Sequence, residues 1–268
     1  MSVEVVHWNP SRPVVSGKLG RWVPLRKRVD NFGDLLGPLI VAELVAREHL
    51  EEPSDERRLV SVGSIMRMAR TGDTVWGTGV NGKSITETLP ATALDVRAVR
   101  GPLTRSYLQE RGIDAPPVFG DPGLLVGHLW DRATLRSDAL EADHLVVPNL
   151  HDFRQVKSRR DVVNPTNEVW SVLKRIASAE FVVGSSLHGV IVAESFGVPA
   201  RLVRSTTEPL FKYQDYYAGT GREDFSVAES IDSALEMGGE PLPVSWDSEA
   251  LIAAFPRDLW SKGPVDGG

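Results

Sequence analysis

Short runs of apolar, often β-branched residues recur along the chain, and most of them end in glycine or proline. Runs of this length and composition are typical of buried strands in a parallel sheet. They occupy residues 3–8, 59–63, 74–79, 95–99, 117–120, 144–148, 180–184 and 200–203. We therefore predict a strand at each of these places.

Between the predicted strands, apolar residues return at helical spacing. Two sets show it clearly: Leu36, Leu39, Ile40 and Leu44, then Val169, Val172, Leu173 and Ile176. A further helical pattern covers residues 248–255. Strands that alternate with helices indicate βαβ units, so the predicted fold class is α/β with parallel sheets in two Rossmann-like units.

A more polar stretch at residues 127–142 separates two series of strands and helices. We place the domain boundary there, which gives an N-terminal half at residues 1–130 and a C-terminal half at residues 131–268. A second break, rich in glycine and proline, lies at residues 238–243. The closing residues 261–268 are expected to fray.

Composition excludes several classes of function. The chain has 268 residues, a net charge of −6 and no cysteine. The acidic balance argues against general nucleic-acid binding, and the lack of cysteine removes disulfides, thiol nucleophiles and thiolate metal sites. The six histidines show neither HxH nor HExxH spacing, so we predict no metal. No full GxGxxG motif opens a helix, so a dinucleotide such as NAD is not expected. We predict that the protein uses no cofactor.

The first residues lack the basic start and long apolar stretch of a signal peptide. No apolar run approaches the roughly 20 residues that cross a bilayer. We expect a cytoplasmic protein without a transmembrane segment, with peripheral contact at the inner membrane face left open. The basic stretch at residues 154–160 is either a solvated loop or a contact with an anionic, lipid-linked acceptor.

The most informative segment is residues 181–200, where a buried-strand pattern passes through small polar residues into a helix. Backbone N–H groups around Ser185, Ser186 and Leu187, with the positive end of the helix dipole, are suited to a phosphate or carboxylate. His188 follows them directly. A histidine beside an apolar helix is often only a satisfied core residue, but the surrounding small residues favour a role in proton transfer.

Two glycine-containing loops lie at other strand or helix ends. Asn31, Gly33 and Asp34 precede an amphipathic helix, where Asn31 or Asp34 either caps the helix or faces a ligand that Gly33 lets approach. Gly77, Thr78 and Gly79 leave a strand at the carboxyl edge, where open α/β sheets bind ligands. Both loops are candidate substrate-binding elements.

Three further residues follow predicted strands. Arg100 is suited to bind a carboxylate or phosphate, or else forms a structural ion pair with an acidic neighbour such as Asp95. Asp121 belongs to a turn and is a weaker candidate for a general base. His151 either binds a sugar hydroxyl or lies on a surface loop.

Five motifs occur in an order that resembles the polysaccharide pyruvyl transferase family, in particular the bacterial exopolysaccharide ketal-pyruvate transferases. They are Asn-Phe-Gly-Asp at residues 31–34, Trp-Gly-Thr-Gly at 76–79, Val-Arg-Gly-Pro at 99–102, Gly-Asp-Pro at 120–122 and Ser-Ser-Leu-His-Gly-Val at 185–190. The resemblance spans about residues 30–215. It implies two Rossmann-like domains that face a cleft, as in GT-B glycosyltransferases, with the acceptor on the N-terminal side and the donor on the C-terminal side.

The resemblance also implies the reaction, which is transfer of pyruvate from phosphoenolpyruvate to a sugar or glycan as a cyclic ketal, with release of phosphate. His188 would be the acid that protonates the donor, and Arg100 would orient the donor. Many family members have Arg-Leu-His where this chain has Ser186, Leu187 and His188. Lys212 or Arg204 is expected to supply the missing charge, unless serine hydroxyl and N–H groups bind the phosphate.

Two other functions stay open from the sequence. The first is a GT-B glycosyltransferase that uses a nucleotide sugar, with Glu194 or Glu208 as the ribose partner. The second is a carbohydrate-binding relative without catalysis.

Overall fold

The computed structural model describes residues 2–13, 26–243 and 246–262. The predicted frayed end is therefore described only at Ser261 and Lys262, and the rest of that stretch lies outside the described residues. Within the described ranges, no helix is long and apolar enough to cross a membrane.

Two parallel sheets form the framework. The first contains β1 (Val3–Val6), β5 (Arg57–Val60), β6 (Thr74–Trp76) and β7 (Asp95–Ala98), in that spatial order. The second contains β8 (Leu145–Val146), β9 (Val182–Gly184) and β10 (Ala200–Leu202), with β9 in the centre. Two short antiparallel pairs complete the strands: β2 (Ser11–Pro13) with β3 (Arg26–Arg28), and β4 (Leu50–Glu51) with β11 (Ser261–Lys262).

Seven of the predicted strands are confirmed with small changes of boundary. The run at residues 117–120 forms only an isolated parallel bridge between Val99 and Phe119. Ser261 and Lys262 do not fray, because they pair with Glu51 and Leu50. An α/β fold with parallel sheets is thus confirmed.

Helices connect and cover the strands. They are α1 (Phe32–Arg47), α2 (Pro102–Gln109), α3 (Val126–Leu129), α4 (Arg132–Leu135), α5 (Phe153–Val156), α6 (Val169–Ser178), α7 (Leu187–Ser195), α8 (Phe211–Gly219), α9 (Ile231–Met237) and α10 (Ser248–Ala253). The predicted apolar faces are buried: Leu36 and Ile40 of α1 and Leu173 and Ile176 of α6 are fully inaccessible. Pro102 opens α2, where its missing N–H costs nothing.

One hydrophobic cluster includes residues from α1, α6 and α7, so the halves share a core. The C-terminal segment returns to the first sheet: the indole N–H of Trp76 donates to the Leu251 carbonyl at 2.9 Å, and that of Trp246 donates to the Phe119 carbonyl at 3.0 Å. The domain boundary near residue 130 stays a prediction. Although α10 belongs to the C-terminal half in sequence, it packs on the N-terminal half.

A buried ion pair also crosses between the halves. Arg100, at the start of α2, places Nε 3.0 Å and Nη2 2.9 Å from Asp215 Oδ2 on α8, and both side chains are fully inaccessible. Asp215 also accepts hydrogen bonds from the N–H and hydroxyl groups of Thr104 at 2.9 and 2.7 Å. These contacts fix α8 against the first sheet.

Replacing Arg100 by alanine should lower the free energy of unfolding by about 3–5 kcal/mol, because Asp215 would stay buried without its cation. The matched control is Arg204→Ala, which removes an exposed pair with Glu229 and should cost at most about 1 kcal/mol. Urea unfolding followed by tryptophan fluorescence measures both. Equal losses in the two variants would show that the buried pair has no special structural role.

Candidate active site

A cavity of about 420 Å³ lies between the two sheets, at the carboxyl ends of their strands. Its wall from the N-terminal half contains Trp8, Asn31, Asp34, Ser64, Ile65, Arg67, Met68, Asn81, Lys83, Ser84 and Glu87. Its wall from the C-terminal half contains Asn149, Leu150, His151, Ser186, Leu187, His188, Glu208 and Lys212. Parallel sheets bind ligands at this edge, and the cavity is the candidate active site.

The imidazole of His188 lies where α7 and α1 begin. Ser186 caps α7 by accepting the Gly189 N–H at 3.1 Å, so His188 lies in the first turn. The ring packs on α1 at Gly33: a Cβ at that position would be 2.3 Å from Nδ1. Gly33 therefore makes room for the histidine, and not for a ligand as the sequence suggested. Burial lowers the pKa of His188 to about 4.

Behind the imidazole lies Asp121. Its Oδ2 is 3.9 Å from His188 Nε2, and both atoms are buried without a hydrogen-bond partner among the residues that the structure describes. Oδ1 accepts the Gly123 N–H at 2.9 Å, which confirms the predicted turn. Burial raises the pKa of Asp121 to about 6, even though the Gly123 N–H and the Arg100 charge act in the other direction. Asp121 does not itself line the cavity.

A second carboxylate approaches His188 from α1. Asn31 does not cap this helix: its side chain accepts no helix N–H, and its Nδ2 donates to Asp34 Oδ2 at 2.5 Å. The capping interpretation is therefore wrong, and both side chains face the cavity. Burial raises the pKa of Asp34, although the Asn31 hydrogen bond and the His188 charge oppose that shift.

The cationic side of the cavity is built around Glu208. This carboxylate contacts Lys212 Nζ at 3.0 Å and also pairs with Lys83. Burial lowers the pKa of Lys212, and Glu208 only partly offsets this effect. Burial alone would raise the pKa of Glu208, but the charges and hydrogen bonds of the two lysines lower it. Two cations share one carboxylate, so this trio carries a net positive charge.

Free backbone donors lie beside these lysines. The N–H groups of Leu187 and His188, at the start of α7, make no hydrogen bond within the part of the chain that the structure describes. Helix N-termini attract anions through such groups. Ser185 was predicted to bind the substrate, but it does not line the cavity. Its hydroxyl instead accepts the Asn149 N–H at 3.2 Å.

Arg100 does not reach the cavity. Besides Asp215, its guanidinium contacts the Ser64 hydroxyl at 2.7 Å and the Val80 carbonyl at 2.9 Å. The structural interpretation of Arg100 thus holds, but with Asp215 as partner, since Asp95 pairs with Arg97. The prediction that Arg100 contacts the substrate directly is therefore wrong. Ser64 does line the cavity, so Arg100 orients a wall residue.

The loop at residues 77–79 is a packing surface in the structure. A Cβ on Gly77 would be 2.3 Å from Pro122 Cδ, and one on Gly79 would be 2.3 Å from Arg100 Cζ. The Thr78 hydroxyl donates to the Gly63 carbonyl at 2.8 Å. None of the three lines the cavity, so the expected ligand contacts are replaced by contacts that support Arg100 and the Asp121 turn.

Of the predicted residues, the cavity thus brings together Asn31, Asp34, His151, Ser186, Leu187, His188 and Lys212. The sequence did not identify Trp8, Ser64, Arg67, Lys83 or Asn149 as wall residues. Each follows a strand of one of the two sheets, so their position after a strand was the available signal. Lys83 is placed by a turn that Asn81 caps through its contact with the Lys83 N–H at 3.0 Å.

The residues considered as a ribose partner or as a substitute cation are already engaged in ion pairs. Glu194 is buried against Arg222 at 2.8 Å, and Glu208 is held by two lysines, so neither is an unpaired ribose partner. Arg204 pairs with Glu229 at 2.8 Å outside the cavity. Among the described residues, no group of three or more His, Cys, Asp or Glu side chains is placed to hold a metal.

Comparison with known proteins decides the family. The polysaccharide pyruvyl transferase family matches residues 54–206, which is more than half of the chain. The chain belongs to this family. It is therefore a pyruvyltransferase, and its matched region includes Arg100, Asp121 and His188.

Individual proteins that resemble the chain share about a quarter of its residues or fewer. The succinoglycan biosynthesis protein ExoV of Rhizobium meliloti (strain 1021) is 27% identical over 87% of this chain and 72% of its own length. The uncharacterized protein L143 of Acanthamoeba polyphaga mimivirus is 27% identical over 60% of each chain. A crystal structure of the uncharacterized protein KP1_0663 from Klebsiella pneumoniae subsp. pneumoniae NTUH-K2044 covers 75% of this chain and 89% of its own, with 9% identity and a TM-score of 0.46.

Replacing Gly33 by alanine should displace the His188 ring and lower turnover, because the new Cβ would lie 2.3 Å from Nδ1. Gly37→Ala is the matched control on the same helix, since its Cβ would meet Val62 at 3.5 Å. That control should keep activity and gain about 0.5–1 kcal/mol of stability. Turnover and thermal unfolding measure both effects; a fully active Gly33→Ala enzyme would contradict this placement of the ring.

Proposed function

We propose that this pyruvyltransferase moves the pyruvyl group of phosphoenolpyruvate onto a sugar of an exopolysaccharide or its precursor, as a cyclic ketal, and releases phosphate. The observation that carries the proposal is the position of His188. It shares a cavity, formed by both halves, with Lys212 and with backbone N–H groups that make no hydrogen bond to any described residue. The exopolysaccharide as product is supported by similarity to a succinoglycan biosynthesis protein.

The donor is a small trianion, and the cavity offers matching positive groups. Its phosphate fits the free N–H groups at the start of α7 and the ammonium group of Lys212. Lys212 thus takes the place of the cation that Ser186 lacks, while the Ser186 hydroxyl is already used as a helix cap. Lys83 lies across Glu208 and adds a second charge from the N-terminal half.

The reaction needs a proton at the methylene carbon of the donor, and His188 is the group that exchanges it. Protonation forms a methyl group and leaves cationic character at the adjacent carbon, to which a sugar hydroxyl adds. The hydroxyl proton returns to His188. Phosphate then leaves with the electrons of its C–O bond, the second hydroxyl closes the ketal, and the proton of that hydroxyl goes to phosphate. Protons and charge balance over the cycle.

The acceptor binds against the wall from the N-terminal half. There the wall carries Trp8, Arg67 and Glu87 from the N-terminal half. An aromatic ring beside a guanidinium, which donates hydrogen bonds, and a carboxylate, which accepts them, is suited to a sugar ring. His151, on the wall from the C-terminal half, would contact the acceptor across the cavity.

His188→Gln should lower turnover by at least about 10²-fold, because a general acid or base typically contributes about 10²–10⁴-fold. Donor binding should remain, since the backbone N–H groups and Lys212 are unchanged. Phosphate release is measured with phosphoenolpyruvate and succinoglycan oligosaccharides freed of acid-labile ketals. Normal turnover in a folded His188→Gln protein would remove His188 from the reaction.

Lys212→Gln should weaken phosphoenolpyruvate binding by about 10–100-fold, which corresponds to the loss of one charge-assisted hydrogen bond. Arg204→Ala is the control, because Arg204 lies outside the cavity, and its affinity should equal that of the unaltered protein. Isothermal calorimetry gives both values. If the unaltered protein does not bind phosphoenolpyruvate but binds a nucleotide sugar, the proposed donor is wrong.

A further inference from the structure

The strongest unexplained feature is a pair of polar atoms that face each other without a hydrogen bond. Within residues 2–13, 26–243 and 246–262, His188 Nε2 and Asp121 Oδ2 are both buried and have no hydrogen-bond partner, and they lie 3.9 Å apart. This distance is too long for a direct hydrogen bond, and buried polar groups are rarely left unpaired. Asp121 is fully inaccessible, so it cannot contact the donor itself.

The surroundings of the pair are charged on several sides. His188 is influenced by Asp34 on α1, Lys212 on α8 and Arg100 at the start of α2. Asp121 is influenced by the backbone N–H groups of Gly123 and Gly63 and by the charges of Arg100 and of Asp215 on α8. The two cations disfavour a proton on His188, whereas Asp34 favours it.

We propose that Asp121 is the positioning residue of His188, and that the two side chains together take up one proton when the donor binds. The proposal rests on phosphoenolpyruvate as the donor and adds the source of the proton that the reaction needs. Asp121 accepts a hydrogen bond from Nε2–H, so the opposite ring nitrogen, Nδ1, exchanges the proton with the donor.

Charge explains the coupling. In the free enzyme the pair lies among cations and in a buried site, where a positive imidazolium is unfavourable. The donor brings three negative charges and neutralises Lys212 and the N–H groups of α7. Proton affinity at His188 rises as a result, and Nδ1 takes up a proton from solvent. The positive imidazolium then draws its Nε2–H towards Asp121 Oδ2 and closes the gap of 3.9 Å.

The proton then moves in a closed cycle. The N–H bond at Nδ1 breaks as the C–H bond of the new methyl group forms. Addition of the first sugar hydroxyl gives its proton back to Nδ1. When phosphate departs, the donor charge leaves the cavity and the imidazolium releases the proton to solvent.

Calorimetry of phosphoenolpyruvate binding at pH 8, in buffers with different ionisation enthalpies, measures the proton uptake. At this pH the donor phosphate is fully ionised, since the second pKa of such phosphates is about 6. We expect about one proton per donor in the unaltered protein. Asp121→Asn and His188→Gln should bind the donor with uptake well below half a proton.

Asp121→Asn keeps the Oδ1 acceptor for Gly123 but presents an amide N–H to Nε2, which forces the imidazole proton onto Nδ1. Turnover should fall by about 10²–10⁴-fold, as for other histidines held in the wrong tautomer. Asp131→Asn is the matched control: Asp131 also caps a short helix, through the Ala133 N–H at 3.1 Å, but outside the cavity. This control should keep full turnover and full proton uptake.

Uptake of one proton by Asp121→Asn on donor binding, as in the unaltered protein, would overturn the proposal.

Long-range ¹⁵N–¹H spectra of the histidine rings test the pairing without any donor, with His188→Gln to assign the signal. We expect the proton on Nε2 in the unaltered protein and on Nδ1 in Asp121→Asn. The same tautomer in both proteins would refute the positioning role. If phosphoenolpyruvate does not bind the unaltered protein, the proposed donor fails, and the tautomer result alone still decides the role of Asp121.

Discussion

The buried ion pair between Arg100 and Asp215 is the contact on which the site depends. It joins the end of the first sheet to α8, and its neighbours must be small: a Cβ on Gly101 would be 1.8 Å from the Asp215 carbonyl oxygen, and one on Gly219 would be 2.2 Å from the Arg100 carbonyl oxygen. Removing two charges from water is costly, so the pair acts more through geometry than through net stability. It fixes the helix that carries Lys212 and the loop that carries Ser64.

Near this ion pair, several polar groups in the cavity or directly behind it lack a hydrogen-bond partner among the described residues. The N–H groups at the start of α7 and the facing atoms of His188 and Asp121 make no hydrogen bond within the described ranges. Such groups lower the stability of the free protein and are characteristic of functional sites. A bound anion would satisfy the N–H groups, and a protonated imidazole would draw its Nε2–H towards Asp121 Oδ2. Binding of the donor would therefore supply both missing contacts.

Sequence patterns predicted the fold well, because strands and helices depend on local periodicity. The apolar runs gave seven of the eight expected strands, and the small polar residues before His188 gave the start of α7. The run at residues 117–120 failed as a strand because only Phe119 forms a bridge with the neighbouring Val99. Roles that depend on distant partners were less predictable: Arg100 pairs with a residue 115 positions away in sequence.

The sequence by itself determined the α/β fold, the family and the strand-to-helix junction that carries His188, because these follow from periodicity and from motifs of adjacent residues. Tertiary structure alone decided which groups surround the imidazole. Gly33, Asp121 and Lys212 come from three separate segments. Only the packing of α1, of α8 and of the turn at residues 121–123 around the start of α7 brings them to His188. Burial and charge at that place depend on distances in space, which local sequence does not encode.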